Sequence, residues 1–218
     1  MSVKVKICGI TDEEMLEVAI EAGADFIGLV LFPPSPRHLE IERAARLAAL
    51  ARGRSAIVAL TVDADDALID AIACHVRPDC MQLHGRETPR RARWIGERTG
   101  AAIIKAFRVR AAEDVEAARA YADVMAFPLF DAWVAQEHAG GLPGGSGRTF
   151  DWSLLRGRVA PFMLAGGLNP DNVARAIRHT QAPMVDVSSG VESMRGIKDA
   201  EKIRAFVKNA RDPSGQGQ

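Results

Sequence analysis

The sequence is poor in the features that mark secreted and membrane-spanning proteins. It has only three cysteines, Cys8, Cys74 and Cys80, an odd number without a metal-type spacing. This argues against a disulfide framework or a metal site and favours a reducing compartment. The amino terminus has no apolar signal core, and no segment approaches the roughly 20 apolar residues of a membrane span. We therefore expect a soluble cytoplasmic protein with no membrane partner.

An excess of charge of either sign is also absent. Lysine and arginine together number 28, as do aspartate and glutamate, whereas tight nonspecific binding to nucleic acid needs a clustered positive field. The three tryptophans, Trp94, Trp133 and Trp152, are too scattered to form a stacking platform for bases. We expect no nucleic-acid partner.

Short apolar runs alternate with amphipathic segments along the whole chain, of which 48% is hydrophobic. The runs predict eight strands, at 3–7, 26–31, 56–62, 81–83, 103–107, 124–127, 162–165 and 184–187. Helical periodicity between them predicts helices at 13–21, 42–51, 67–74, 89–98, 113–121, 170–178 and 200–211, with a short one at 152–155.

This alternation leaves two architectures, a closed (β/α)₈ barrel and an open doubly wound sheet. Eight units within under about 250 residues favour the barrel. No Gly-x-Gly-x-x-Gly follows the first strand, so the open sheet lacks the phosphate turn of a dinucleotide fold. We predict a single-domain TIM barrel at 1–211 and a disordered tail at 212–218, which is rich in Gly, Pro and Gln.

A lone thiol ends the first predicted strand. Cys8 lies in the segment Lys-Ile-Cys-Gly-Ile at 6–10, before a helix for which Thr11 and Glu14 predict a capping box. The carboxyl ends of barrel strands are where catalytic groups collect. The alternative is a buried structural thiol, because free cysteine is among the most buried residues.

Three polar residues follow other predicted strands. Arg37, in the proline-rich loop 33–38, is suited to gripping a carboxylate bidentately, although a solvated loop arginine is the alternative. Asp131 comes soon after the sixth strand, before a long glycine-rich loop, and suits a general acid or a plain loop carboxylate. His84 ends the fourth strand, where it can act as a base, orient a substrate or serve as a hydrogen-bonded structural residue.

Glycines and hydroxyls concentrate late in the chain and predict a phosphate cradle. Glycine lets a phosphate approach the backbone, and a helix amino terminus supplies partial positive charge, here after 165–167 with Pro170 and Asp171 in the opening turn. Asp186 ends the eighth strand and is a candidate site carboxylate or a local cap. The predicted phosphate ligands are Gly144, Gly145, Gly166, Gly167, Ser188, Ser189 and Gly190.

Taken together, these segments resemble the phosphoribosylanthranilate isomerase family of tryptophan biosynthesis. The blocks at 6–10, 35–37, 82–85, 144–152, 165–168 and 186–192 all look like that family's, in order, and the likeness runs from residue 3 to about residue 208. The chain departs from the family at 60–62, where an aromatic residue is common, and in the long segment 131–143.

The resemblance implies an Amadori rearrangement of N-(5-phosphoribosyl)anthranilate that needs neither cofactor nor metal. It implies that Cys8 is the general base, Asp131 the general acid and Arg37 the contact of the anthranilate carboxylate. Asp186 and His84 are implied as substrate-binding residues, and the glycine loops as the phosphate site. The expected partner is the small phosphosugar–anthranilate substrate, and the expected assembly is a monomer or homodimer.

Other readings stay open at this point. A related aminoaldose isomerase of histidine synthesis would show aspartates after strands one and five, where this chain has Cys8 and Arg108. Indole-glycerol-phosphate synthase would need a lysine network, for which Lys6 and Lys105 are candidates. A noncatalytic barrel that only binds phosphate would have no need of Cys8, Arg37 or Asp131.

Overall fold

Eight parallel strands close into a barrel, as predicted. The computed structural model describes residues 2–132, 149–157 and 161–214. Each strand pairs with the next, and the first pairs with the eighth to close the ring. The strands are β1 (Lys4–Cys8), β2 (Phe26–Val30), β3 (Ala56–Thr61), β4 (Cys80–Leu83), β5 (Ala102–Val109), β6 (Phe127–Ala132), β7 (Met163–Leu164) and β8 (Met184–Val187).

Helices follow the strands in sequence. They are α1 (Glu13–Glu21), α2 (Ile41–Ala51), α3 (Asp66–Ala71), α4 (Pro89–Thr99), α5 (Ala112–Glu116), α6 (Val173–Thr180) and α7 (Ala200–Arg211). A π-helical turn (Ile72–Val76) extends α3, and 3₁₀ segments occur at Ala117–Tyr121 and Trp152–Leu155. Between β8 and α7 lies an antiparallel hairpin of β9 (Glu192–Met194) and β10 (Ile197–Lys198). Within the described ranges, no helix combines the length and apolar character needed to cross a membrane.

Strand alternation sorts side chains into two layers. Successive residues of a strand point to opposite faces, so Val5 and Ile7 pack in the large cluster that includes helix residues, whereas Cys8 belongs to a cluster with Val30 and Leu60. A separate cluster fills the barrel with Phe26, Val58, Cys80, Ile104, Ala106, Leu129, Met163, Ala165 and Met184. The inward positions nearest the carboxyl ends are therefore the ones that can carry chemistry.

The sixth strand differs most from its predicted bounds. It runs over Phe127–Ala132 rather than 124–127, so Asp131 is inside the strand and not in the loop after it. Pro128 obscured this from the sequence, because proline has no backbone N–H and usually interrupts a strand. The residues that follow, including the predicted lid with Gly144 and Gly145, lie outside the described ranges.

One predicted helix cap and one predicted helix start were wrong. Asp12, and not Thr11, caps α1 by accepting a hydrogen bond from the backbone N–H of Met15 at 2.8 Å. The later helix, α6, begins at Val173, so Pro170 and Asp171 precede it. The cause is an Asx-type turn, in which the Asn169 side chain accepts hydrogen bonds from the N–H groups of residues 171 and 172 at 2.9 and 3.0 Å.

Candidate active site

One cavity opens at the carboxyl ends of the strands and gathers most of the predicted site residues. Its lining includes Cys8, Arg37, His84, Asp131, Gly166, Gly167, Asp186, Ser188 and Ser189. These residues come from the ends of five strands and from the loop after β2. Gly190 is absent from the described lining; its Cα instead packs closely against the Leu168 carbonyl, where it lets two loops meet.

Cys8 shares its end of the barrel with a buried ion pair. The Nζ atom of Lys6 lies 2.9 Å from the Oδ1 atom of Asp186, and both side chains are buried. Burial lowers the pKa of Lys6, but attraction to Asp186 and Cys8 outweighs it and raises that pKa to about 12. Burial raises the pKa of the Cys8 thiol, and the positive charge of Lys6 opposes this rise. Cys8 therefore ionises only with the help of its neighbours.

The absence of a side chain at Gly28 lets the Cys8 thiol and the Lys6 ammonium group lie close together. A Cβ atom at Gly28 would lie 2.9 Å from the Sγ atom of Cys8 and 3.0 Å from the Nζ atom of Lys6. Real Cβ atoms do not approach other atoms so closely, so any larger residue would push the thiol and the ammonium group aside. Register supports the arrangement, because Cys8 is paired directly with Gly28 across the β1–β2 ladder.

Asp131 faces a histidine at the other side of the cavity. The Oδ2 atom of Asp131 is 3.3 Å from the Nε2 atom of His84, but the angle falls outside hydrogen-bond geometry. The side-chain amide of Gln82 lies 3.2 Å from Nδ1 of the same histidine. With the amide nitrogen oriented towards Nδ1, the amide donates and Nε2 carries the ring proton on the side of the ring nearer Asp131. Asp131 also accepts a hydrogen bond from the N–H of Ala132 at 2.8 Å, which fixes its carboxyl at the mouth.

Arg37 is held by a residue that the sequence analysis gave no role. Its Nε and Nη2 atoms donate to the two carboxylate oxygens of Glu192 at 2.6 and 2.8 Å. Glu192 also accepts from Lys198 at 2.8 Å and from the N–H of Gly196 at 3.0 Å. Burial opposes ionisation of Glu192, but these donors prevail and lower its pKa to about 2. Arg37 is thus a fixed group that lines the cavity rather than a mobile loop arginine.

The ion pair of Glu192 should make stability acid-sensitive. A carboxyl with an ordinary pKa of 4.5 that is lowered to about 2 in the folded state contributes stability above pH 4.5 and loses it as the pH falls towards 2. The shift corresponds to about 3 kcal/mol. We expect the difference in unfolding free energy between wild type and Glu192→Gln, measured by urea unfolding, to shrink by up to this amount between about pH 5 and about pH 2.

The exposed residue Glu201 offers a matched control for this experiment. Its side chain is 88% exposed and pairs only with Arg204, one helical turn away, and such surface pairs contribute little. The gap between wild type and Glu201→Gln should stay nearly constant over the same pH range. A gap for Glu192→Gln that also stays constant would show that this carboxyl is not preferentially ionised in the folded protein.

The glycine loop after β7 is shaped for close approach of a ligand. Gly166 and Gly167 have φ angles of +86° and +64°, in the left-handed region that favours glycine. The side chain of Asn172 donates to the Gly167 carbonyl at 2.9 Å and ties this loop to the start of α6. On the neighbouring strand, the hydroxyl of Ser188 donates to the Cys8 carbonyl at 3.1 Å. The loop backbone and Ser189 remain the best-placed groups to meet an anion.

Sequence reasoning did not predict which residues support the site, although it named Lys6 as a candidate under an alternative function. Lys6 carried a visible signal, since the alternation of β1 places it on the same face as Cys8, inside the barrel. Glu192 carried none, because its partner Arg37 lies 155 residues away in the sequence. Lys198 meets Glu192 through the short β9–β10 hairpin, which the sequence reasoning did not predict. Gln82 also carried a signal, because it lies two residues before His84 and this spacing in a strand puts both side chains on one face.

Comparisons with known proteins agree with the geometry. A family model described as N-(5'phosphoribosyl)anthranilate (PRA) isomerase matches residues 5–209. A relative of that name from Paramagnetospirillum magneticum is 53% identical over 213 residues, covering 97% of this chain and 98% of the relative. The phosphoribosyl anthranilate isomerase structure from Thermotoga maritima has a TM-score of 0.83 at 38% identity, covering 95% and 98% of the two chains. Another isomerase structure, in complex with reduced 1-(o-carboxyphenylamino)-1-deoxyribulose 5-phosphate, has a TM-score of 0.81 at 36% identity with the same coverage.

Proposed function

This chain belongs to the N-(5'-phosphoribosyl)anthranilate isomerase family, and from that premise we propose that it isomerises N-(5'-phosphoribosyl)anthranilate to 1-(2-carboxyphenylamino)-1-deoxyribulose 5-phosphate in tryptophan biosynthesis. One observation carries the proposal. Cys8 and Asp131 line the same cavity from β1 and β6, two strands that β7 and β8 separate around the barrel. A thiol and a carboxyl that face one cavity from two sides suit a reaction that needs both a base and an acid.

The chemistry assigns one proton transfer to each group. Asp131 protonates the ring oxygen as the furanose opens to a Schiff base between C1 and the anthranilate nitrogen. Cys8, as a thiolate, then removes the proton from C2, and the resulting enolamine tautomerises to the aminoketose. Atoms and electrons balance without an oxidant, because the aldose carbon is reduced as C2 is oxidised.

Substrate orientation falls to the rest of the cavity. The loops with Gly166 and Ser189 receive the phosphate, and Arg37 receives the anthranilate carboxylate at the opposite end. Asp186 and His84 contact the ribose part between them. An apolar wall suits the aromatic ring of the substrate; it comprises Val30, Phe32, Leu60, Val62 and Leu168. Fixing both ends of the substrate lets orientation supply much of the rate enhancement.

Arg37→Met should weaken binding rather than chemistry. Within the described residues, the Glu192 contacts use Nε and Nη2 of Arg37 and leave Nη1 for a ligand. Losing a charge-assisted contact should weaken binding of the product analogue by about 1.5–3 kcal/mol, measured by calorimetric titration. An analogue without the carboxylate should bind to wild type and variant about equally. If the variant still prefers the carboxylate analogue as strongly as wild type does, Arg37 contacts another part of the substrate.

Complementation tests the activity in a cell. The gene should restore growth without tryptophan to an auxotroph that lacks only this isomerase step. Cys8→Ala should fail to do so at equal protein level, whereas Cys74→Ala should succeed, because Cys74 is exposed and away from the cavity. Failure of the wild-type gene, with the protein present in soluble form, would favour a noncatalytic phosphate-binding barrel.

We also propose an assembly no larger than a homodimer and a cytoplasmic location. One Thermotoga maritima structure is described as monomers generated from a dimeric isomerase, and Cys8, Cys74 and Cys80 are all free thiols, as in a reducing compartment. Light scattering on the purified protein would test the assembly; a larger particle would contradict it.

A further inference from the structure

The buried charges around Cys8 do not balance. Three cations, Lys6, Arg37 and Lys198, lie buried at this side of the mouth with two carboxylates, Asp186 and Glu192. Lys6 pairs with Asp186, while Arg37 and Lys198 share Glu192. Burial lowers the pKa of Lys198, and Glu192 opposes this effect. An uncompensated charge in a buried site is costly, so among the described residues this side of the mouth is one negative charge short when Lys198 is protonated.

Cys8 lies between the two groups of charges. Lys6 reaches it across the space above Gly28, where one Cβ position would touch both the Nζ and the Sγ atoms. Lys198 reaches it through Ser188, because its Nζ atom lies 3.0 Å from the Ser188 carbonyl oxygen, and the Ser188 hydroxyl donates to the Cys8 carbonyl. A thiolate at Cys8 would supply the missing charge.

Among the described residues, the two other ionisable groups of the cavity lining face each other. They are His84, just after β4, and Asp131 on β6, and they lie 3.3 Å apart. The neighbouring strand β2 brings only apolar residues and Gly28 to the thiol. Before ring opening, Asp131 holds its proton and the Cys8 thiolate balances the additional cation. After both proton transfers, Asp131 is a carboxylate and Cys8 is a neutral thiol, so the protein groups of the cavity end with the same net charge with which they began.

We propose that Lys6 is a positioning residue of the reaction, whose ammonium group holds Asp186 in the resting site and stabilises the Cys8 thiolate when the base ionises. Lys198 is the second cation that stabilises the Cys8 thiolate. The proposal rests on the function proposed above for Cys8 as the base. Asp186 then competes with the thiolate for Lys6, so the two residues have opposite effects on the same sulfur atom.

Alkylation of the thiol tests this without any substrate. Each protein is treated with iodoacetamide over a range of pH, and modification of the Cys8 peptide is followed by mass spectrometry. Lys6→Met should slow alkylation of Cys8 at neutral pH by about tenfold or more, because an opposite charge at this range favours the ionised form by at least that factor. Lys198→Met should slow it less, and Asp186→Asn should accelerate it. Lys4→Met, an exposed lysine of the same strand, is the matched control and should leave the rate unchanged.

Lys6→Met and Asp186→Asn are expected to change the alkylation rate in opposite directions, so the test stays decisive if one variant folds badly. Circular dichroism identifies such a variant, and Asp186→Asn alone then carries the test, since a loosened site does not imitate it. Loosening would expose both Cys8 and Cys80 to the reagent, whereas freeing Lys6 acts mainly on Cys8, because burial and Asp79 dominate the pKa of Cys80 and Lys6 has the smallest effect there. Equal rates for Lys6→Met and Lys4→Met, or no acceleration specific to Cys8 in Asp186→Asn, would overturn the proposal.

Measurements of turnover distinguish a failure of this proposal from a failure of the proposed function. Lys6→Met should lower kcat more than it changes KM, and raising the pH should restore part of the kcat, because the Cys8 thiol then loses its proton without the help of the lost cation. A merely structural role predicts no such recovery. If Cys8→Ala stays active while the alkylation pattern holds, Cys8 is not the base but the charge sharing stands. If Cys8→Ala is inactive and the alkylation pattern is absent, Cys8 is the base but the proposed role of Lys6 is wrong.

Discussion

Cys8→Ala is expected to lower kcat by about 10²–10⁴-fold, which is the usual contribution of one general base. The side chain lines the cavity and is small, so its removal takes away a proton acceptor without opening a large void. Melting temperature and affinity for the reduced product analogue should stay close to those of wild type. Both are measurable on the same preparation, by thermal unfolding and by calorimetric titration.

Cys80→Ala is the matched control. Cys80 is also a buried thiol in the barrel, but it lies at the start of β4 and outside the cavity lining. Burial raises its pKa to about 11, with help from Asp79, so it stays protonated near neutrality. Its removal should leave kcat unchanged within a small factor. A Cys8→Ala variant with near-normal kcat would move the base role elsewhere, with His84 as the first candidate.

Asp131→Asn is expected to reduce the chemical step by a similar factor. The amide keeps the shape of the carboxyl and can still accept the hydrogen bond from the N–H of Ala132, but it has no acidic proton to donate to the ring oxygen. The melting temperature should change little. The reduced open-chain product analogue should bind as well as it binds to wild type, because that analogue no longer needs the proton.

Asp186→Asn serves as the comparison for this variant. Asp186 is buried beside Lys6 on the opposite side of the mouth, where we propose that it binds substrate and assign it no role in ring opening. We expect kcat to fall further in Asp131→Asn than in Asp186→Asn. Substantial activity in Asp131→Asn together with an inactive Asp186→Asn would place the acid at the end of β8, and the role of residue 131 would have to be withdrawn.

Sequence patterns located the reactive groups because they are set by local periodicity. Cys8 ends an alternating strand, and Asp186 ends another strand whose bounds the sequence predicted without error. Since parallel strands of a closed barrel end at one rim, residues at those ends had to meet. The family motifs then ordered these residues into roles.

The local sequence pattern did not predict ion pairs between residues that are far apart in the chain. Lys6 and Asp186 are separated by 180 residues, and Arg37 and Glu192 by 155. Which of several buried ions pair depends on the final packing, and nothing in the local sequence encodes it. The predicted cap of α1 at Thr11 failed for a different reason: Thr11 and Asp12 are both good caps, so the local sequence does not choose between them.

The reaction itself gives the most direct test of the central claim. Purified protein is mixed with freshly prepared N-(5'-phosphoribosyl)anthranilate. The products are separated by chromatography, and their molecular masses are measured by mass spectrometry. The account predicts a new compound with the same mass as the substrate, formed by wild type and not by Cys8→Ala. Recovery of substrate alone, or only its breakdown to anthranilate and ribose 5-phosphate, would contradict it.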